Sequence, residues 1–135
     1  MPRKTNSKNP ADWLRIAASD MDMVRMAATQ EISYSGARSK LAEIPEKILK
    51  AELIRTGWPL EKTHDLNRLF DFLAERNSDL LPTVEPLCDV LAQVYFTDRY
   101  PGFDLDDPDW PKLRAQVEEV SALLQTVKSR QPTQA

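Results

Sequence analysis

The sequence predicts an all-α fold, an up-and-down bundle of four to five helices. Aliphatic residues recur at helical spacing through most of the chain, only three of its 135 residues are glycine, and no Val/Ile/Thr-rich alternating run marks a sheet. The length suits one domain that buries a core without disulfides or a structural metal. That domain is expected over residues 11–128, between a flexible tail at 1–10 and a frayed one at 129–135. The first ten residues, MPRKTNSKNP, carry Arg3, Lys4 and Lys8 but too little apolar surface to order themselves. A nucleic-acid-binding arm is the sharper alternative for that segment.

Helix 1 is expected from near Ala11 to Thr29, where Trp13, Ile16, Ala17, Val24, Ala27 and Ala28 gather on one face at about 100° per residue. Asp20 falls inside that face. A carboxylate there must meet a cation, line a wet groove or reach solvent at the stripe edge. After a polar turn, helix 2 is expected from about Ser35 to Ile54, with Ala37, Leu41, Ile44, Ile48 and Ala51 at alternating spacings of four and three. Pro45 interrupts it and predicts a kink near Leu41 to Pro45, the other option being a second helix with Pro45 in its first turn. On the opposite side, Lys40, Glu43, Lys47 and Lys50 make a polar stripe, with Glu43–Lys47 and Glu46–Lys50 as i,i+4 pairs. Such a stripe reads as a solvated face, or as a phosphate-binding edge presented by Lys47 and Lys50.

Gly57 is placed to stop helix 2, and Trp58-Pro59 makes the connection extended. Thr63 is the expected N-cap of the next helix, whose Leu66, Leu69, Phe70 and Leu73 form its inner face. His64, the one histidine, sits at that helix start, where free amides would suit an anion. A loop from Asn77 to Pro82 leads to a helix from about Thr83 to Thr97, buried through Val84, Leu87, Val90, Leu91 and Val94, with Pro86 in its first turn. Cys88 flanks this face as an inert small hydrophobe. Arg99 and Tyr100, in the DRYPG break after it, either point back into a groove or cap the helix. The acidic run from Asp104 to Asp109 lacks the Gly and Glu of a calcium loop and reads as N-capping for a last helix with Leu113, Val117, Val120, Leu124 and Val127 inside.

Eighteen Lys and Arg against twenty-one Asp and Glu give a net charge of −3, which excludes coating of nucleic acid by bulk charge and leaves only a local basic patch. A single cysteine and a single histidine exclude a disulfide framework and a multi-histidine metal site within one chain. No cofactor is expected. The polar start in place of a signal sequence, and the absence of any apolar run near the roughly 20 residues that span a bilayer, lead to the expectation of a cytoplasmic protein.

Four segments in order, DWLRIAASDM, PEKILKAELIRTG, the THDL at His64 and YFTDRYPG, resemble the HEPN family, small helical domains named for higher eukaryotes and prokaryotes nucleotide-binding. The spacing from Asp20 to Glu46-Lys47 matches as well. Where family members often carry a glutamine-alanine pair before that glutamate, this chain has Leu41-Ala42-Glu43-Ile44-Pro45. Ribonuclease members carry an arginine followed after four to six residues by a histidine; here eight residues separate Arg55 from His64, and no histidine follows Arg99. The chain is therefore similar to the non-nuclease branch with the RYP ending.

The resemblance implies a four- or five-helix bundle, frequent homodimerisation and operation beside a minimal nucleotidyltransferase, with Asp20, Lys47, Lys50, His64, Arg99 and Tyr100 as the ligand-binding set. The leading expectation is a non-catalytic module that binds a nucleotide, ATP or GTP, with Asp20 pairing to Arg99 or His64. One alternative is an RNA-cleaving endoribonuclease toxin of a toxin-antitoxin pair, with His64 as general base and Arg99 stabilising the phosphorane. Another is a structural dimerisation domain whose polar residues only cap and solvate.

Overall fold

Helix α2 (Tyr34–Arg55) forms the centre of the molecule, because from Leu41 to Leu53 only Glu43 and Lys47 escape full burial. An amphipathic helix buries one stripe; one covered all round needs neighbours on every side. α2 has them, packing against α1 (Pro10–Gln30), α3 (Leu66–Glu75), α4 (Leu81–Thr97) and α5 (Trp110–Ser129). α1 and α5 also pack on each other, as do α3 and α4, so the helical bundle has two pairs joined through α2. The computed structural model describes residues 7–59, 63, 65–97 and 108–131, with the side chains of 92–97 excepted. The expectations on His64, Arg99, Tyr100, the Asp104–Asp107 stretch and the side chain of Val94 lie outside these described residues.

Local chemistry explains the helix limits. Asn9 caps α1 by accepting from the Ala11 amide at 3.0 Å, Asp65 caps α3 through the Asn67 amide at 2.9 Å, and Asp109 caps α5 through the Lys112 amide at 3.1 Å. Thr63 is thus not the N-cap of α3; its hydroxyl accepts from the Asp65 amide and braces the true cap. At the end of α2, the Trp58 amide reaches back to Leu53 O at 2.9 Å and the Gly57 amide to Ile54 O at 3.0 Å, while Gly57 takes φ +95. This is the Schellman arrangement, and it requires a residue that tolerates the left-handed region. Asn77 does the same for α3 at φ 53, with Ser78 donating to Leu73 O.

α2 continues through Pro45 as one helix, so the two-helix option is excluded. Pro45 is itself buried. Other expectations need correction. The buried face of α1 keeps Ala17, Val24 and Ala28 but takes Leu14 and Met21 in place of Ile16, which is 49% exposed. Val90 is 44% exposed because Leu87, Cys88 and Leu91 take the inner positions of α4. α4 begins at Leu81, which moves Pro86 from its first turn into its interior. The expected inner residues of α5 are all buried, joined by Leu123. Across the bundle, Tyr34 and Trp110 meet edge to face at 5.1 Å, and Trp58 packs on Phe72 at 5.4 Å. Among the described residues no helix is long and apolar enough to cross a membrane.

Candidate functional site in the α1–α2 interface

Trp13 and Asp20 are seven residues apart, so two helical turns bring them to the same side of α1. The side of α2 they meet carries Glu46, Lys47 and Lys50. The more N-terminal residue of α1 lies with the more C-terminal one of α2, as an antiparallel helix pair requires: the Lys50 ammonium sits 5.1 Å from the Trp13 ring centroid, and the Lys47 ammonium bonds the Asp20 carboxylate. Lys50 also reaches Glu46 at 3.5 Å, one turn back along α2. Trp13 is fixed in turn by its indole N–H, which donates to Ser7 O at 2.8 Å.

The polar stripe of α2 is therefore no solvated face. Lys40 pairs with Glu43 at 3.0 Å at its outer end, and the remainder turns into the helix interface. Asp20, Glu46 and Lys50 are all buried, with Lys50 only 4% exposed. Among the described residues two carboxylates meet two ammonium groups here, and such pairing is what lets ions be held out of water. The aromatic face adds to the stabilisation of the Lys50 cation.

Chemically the two lysines differ. Lys50 is enclosed between Glu46 and Trp13 and offers little to an incoming ligand. Lys47 keeps 18% of its side chain open to solvent, and a phosphate oxygen could reach its ammonium by competing with Asp20. Asp20 thus meets a cation, as one reading of the sequence required, but among the described residues that cation is Lys47 and not a partner from the later helices. The cluster joins three residues named from sequence, Asp20, Lys47 and Lys50, and adds Trp13 and Glu46. Trp13 was legible only as a core residue, since nothing local to it announces a lysine on another helix.

A second polar cluster escaped the sequence altogether. Glu52, 2% exposed, accepts from Arg55 Nε at 2.6 Å, Arg55 Nη2 at 3.1 Å and Arg130 Nη1 at 2.5 Å. Arg130 also forks onto Asp79 at 2.9 and 2.6 Å. The hydrogen bonds from Arg130 hold the Asp79 carboxyl below its ordinary value, and those carboxylates raise both guanidinium groups further. A cleft of about 250 Å³ lies beside them, lined by Arg55, Thr56, Arg76, Asn77 and Ser78 among others. It has the look of an anion site, yet α2, α3 and α5 all end here, and the negative ends of three helix dipoles already attract Arg55, Arg76 and Arg130. This cluster ties helix ends together.

Cys88 is buried at 2% exposure, and desolvation pushes its thiol up to about 12, so it is no nucleophile. Among the described residues no three His, Cys, Asp or Glu side chains gather to hold a metal ion. No curated protein and no solved structure matches the chain. The family model for the HEPN domain matches residues 10–129, running from the first residue of α1 to the last of α5. That span takes in the whole bundle together with the α1–α2 cluster, and the chain belongs to the HEPN family.

Proposed function

We propose that this chain is a non-catalytic HEPN module of the RYP-ending branch that binds the phosphates of a nucleotide at Lys47 and works beside a minimal nucleotidyltransferase. The observation that carries the reading is the buried ion-pair cluster of Asp20, Glu46, Lys47 and Lys50 against Trp13. Well-packed apolar side chains would stabilise the α1–α2 interface as well or better, so ions retained there point to a role other than stability. Asp20 holds Lys47 in place until a phosphate takes over as its partner. His64, Arg99 and Tyr100 complete the ligand set in this proposal.

Titration calorimetry with ATP, with GTP and with the purified transferase tests it. Binding of one nucleotide is expected, weakened about tenfold or more by Lys47→Met, which removes a charge-assisted contact. Asp20→Asn frees the ammonium and is expected to leave affinity unchanged or to tighten it. Absence of heat with all three titrants, on protein shown to be folded, refutes the proposal. Cleavage of RNA by the chain alone would replace it with the nuclease reading.

A further inference from the structure

α1 and α5 run antiparallel, and one half of their seam is closed by polar bonds. Arg25 pairs there with Glu118 at 2.7 Å and donates to the Ser121 hydroxyl at 2.8 Å, while Arg114 pairs with Glu31 at 3.0 Å and donates to Ala28 O at 3.3 Å. The other half, between the start of α1 and the end of α5, is spanned by no such bond among the described residues and holds a groove of about 600 Å³. Ala11, Leu14 and Ala18 line it from α1 at spacings of three and four, and the two alanines leave open what larger side chains would fill. Arg130, just past α5, is drawn the other way onto Glu52 and Asp79, so α5 offers the groove Lys128 and Ser129. The lining is mostly apolar, and its only charged members are the exposed cations Arg15 and Lys128. Lys128 has no carboxylate partner among the described residues. Arg15, 75% exposed, meets only its helix neighbour Asp12, in a pair that solvent screens and an incoming anion can replace.

We propose that this groove binds a small amphiphilic carboxylate, its apolar body of roughly ten carbons lying on Ala11, Leu14 and Ala18 and its head turned out to Arg15 and Lys128. Size favours a small molecule. The volume falls within the roughly 300–1,000 Å³ of small-molecule pockets, and the bonded half of the seam keeps the groove from continuing along α1 as a trough for a partner helix. Charge selects the head: two cations and no carboxylate line the groove, and a guanidinium beside an ammonium suits a carboxylate as a forked partner with a second donor. The positive end of α1 and the negative end of α5 meet here and offset each other, which leaves the two side chains to set the preference. Ala18 is turned about 200° around α1 from Asp20, so the groove and the Asp20–Lys47 pair lie on opposite edges of the buried face. The inference is therefore independent of the nucleotide proposal.

Titration calorimetry of the full chain with decanoate at neutral pH is the direct test, with the melting temperature as a second readout. One site is expected, with Kd on the order of 10–100 µM, as about a dozen non-hydrogen atoms at ordinary ligand efficiency give. Acetate, the head alone, should not bind, and 1-decanol, the body alone, should bind about tenfold more weakly. Arg15→Met combined with Lys128→Met, both at exposed positions, should weaken decanoate about tenfold, leave decanol unchanged and keep helicity intact. Lys47→Met should bind decanoate as the parent chain does. The absence of both heat and a rise in melting temperature overturns the inference, as does decanol binding as tightly as decanoate. So does decanoate binding that the double variant leaves untouched, or that Lys47→Met removes, which would place it in the α1–α2 cluster. Binding that emerges only on dilution of the chain would show a second copy filling the groove and overturns it as well.

Discussion

Arg130 makes a sharp test of the reading that the second polar cluster ties helix ends together. Its guanidinium supplies one of the three hydrogen bonds to the buried Glu52 carboxylate, at 2.5 Å, and both bonds to the exposed Asp79. Arg130→Met removes all of them while keeping the apolar stem. A hydrogen bond to a charged group contributes about 1.5–3 kcal/mol, and the exposed pair with Asp79, screened by solvent, adds little. Arg55 still holds Glu52, so the loss stays below the roughly 3–5 kcal/mol of a buried charge left alone. The expected destabilisation is therefore about 2–3 kcal/mol by urea denaturation, or on the order of 6–12 °C in Tm for a chain of this size. Asp79→Asn, at the exposed end of the cluster, should cost clearly less than Arg130→Met. In a double-mutant cycle with Glu52→Gln the coupling should exceed about 1 kcal/mol. If Arg130→Met costs no more than Asp79→Asn, the bond to Glu52 contributes nothing and this cluster does not tie the helix ends together.

Further expectations concern the other sites. Asp20→Asn should lower stability by about 1–3 kcal/mol by leaving the Lys47 ammonium in the interface without its carboxylate, and adding Lys47→Met should restore much of that in chemical denaturation. Gly57→Ala should cost about 1 kcal/mol or more through backbone strain alone, because φ is +95 there while a Cβ would meet nothing within 4 Å; an unchanged Tm would contradict the Schellman assignment. The Cys88 thiol, raised to about 12, should react with a thiol reagent only on unfolding. Its proton is retained in the fold and lost from the unfolded chain above pH about 9, so stability should be intact below that pH and fall by at most about 1.4 kcal/mol per unit toward 12. Cys88→Ala should flatten that alkaline slope. Asp79 works in the opposite direction: its folded pKa is depressed, so its contribution is present above the ordinary carboxylate range and lost as pH falls through the folded value. Asp79→Asn should remove this part of the acid sensitivity.

Much of what near neighbours along the chain control was legible in the sequence, though Thr63 was read two residues too early as the cap that Asp65 supplies. Spacings of three and four located the five helices of the described residues, Gly57 marked the end of α2, Asp109 belonged to the predicted acidic cap of α5, and four ordered segments pointed to the HEPN family that the match over residues 10–129 establishes. Periodicity also named most of the core, and it went astray at Ile16 and Val90, where one step along a helix turns a side chain by about 100° and apolar character alone does not say which of two adjacent stripes faces inward. Which charges meet was decided by the packing of helices on one another. The stripe on α2 looked like a solvated face, since Glu46 to Lys50 is a favourable pair on any helix, and only the packing of α1 across it buried Lys50 against Trp13 and gave Lys47 to Asp20. Glu52, Asp79 and Arg130 come from three distant stretches with no shared pattern, so their convergence was illegible until the ends of α2, α3 and α5 were brought together. Helix formation is governed by contacts a few residues apart, whereas a buried ion pair exists only where two helices exclude water from both partners at once.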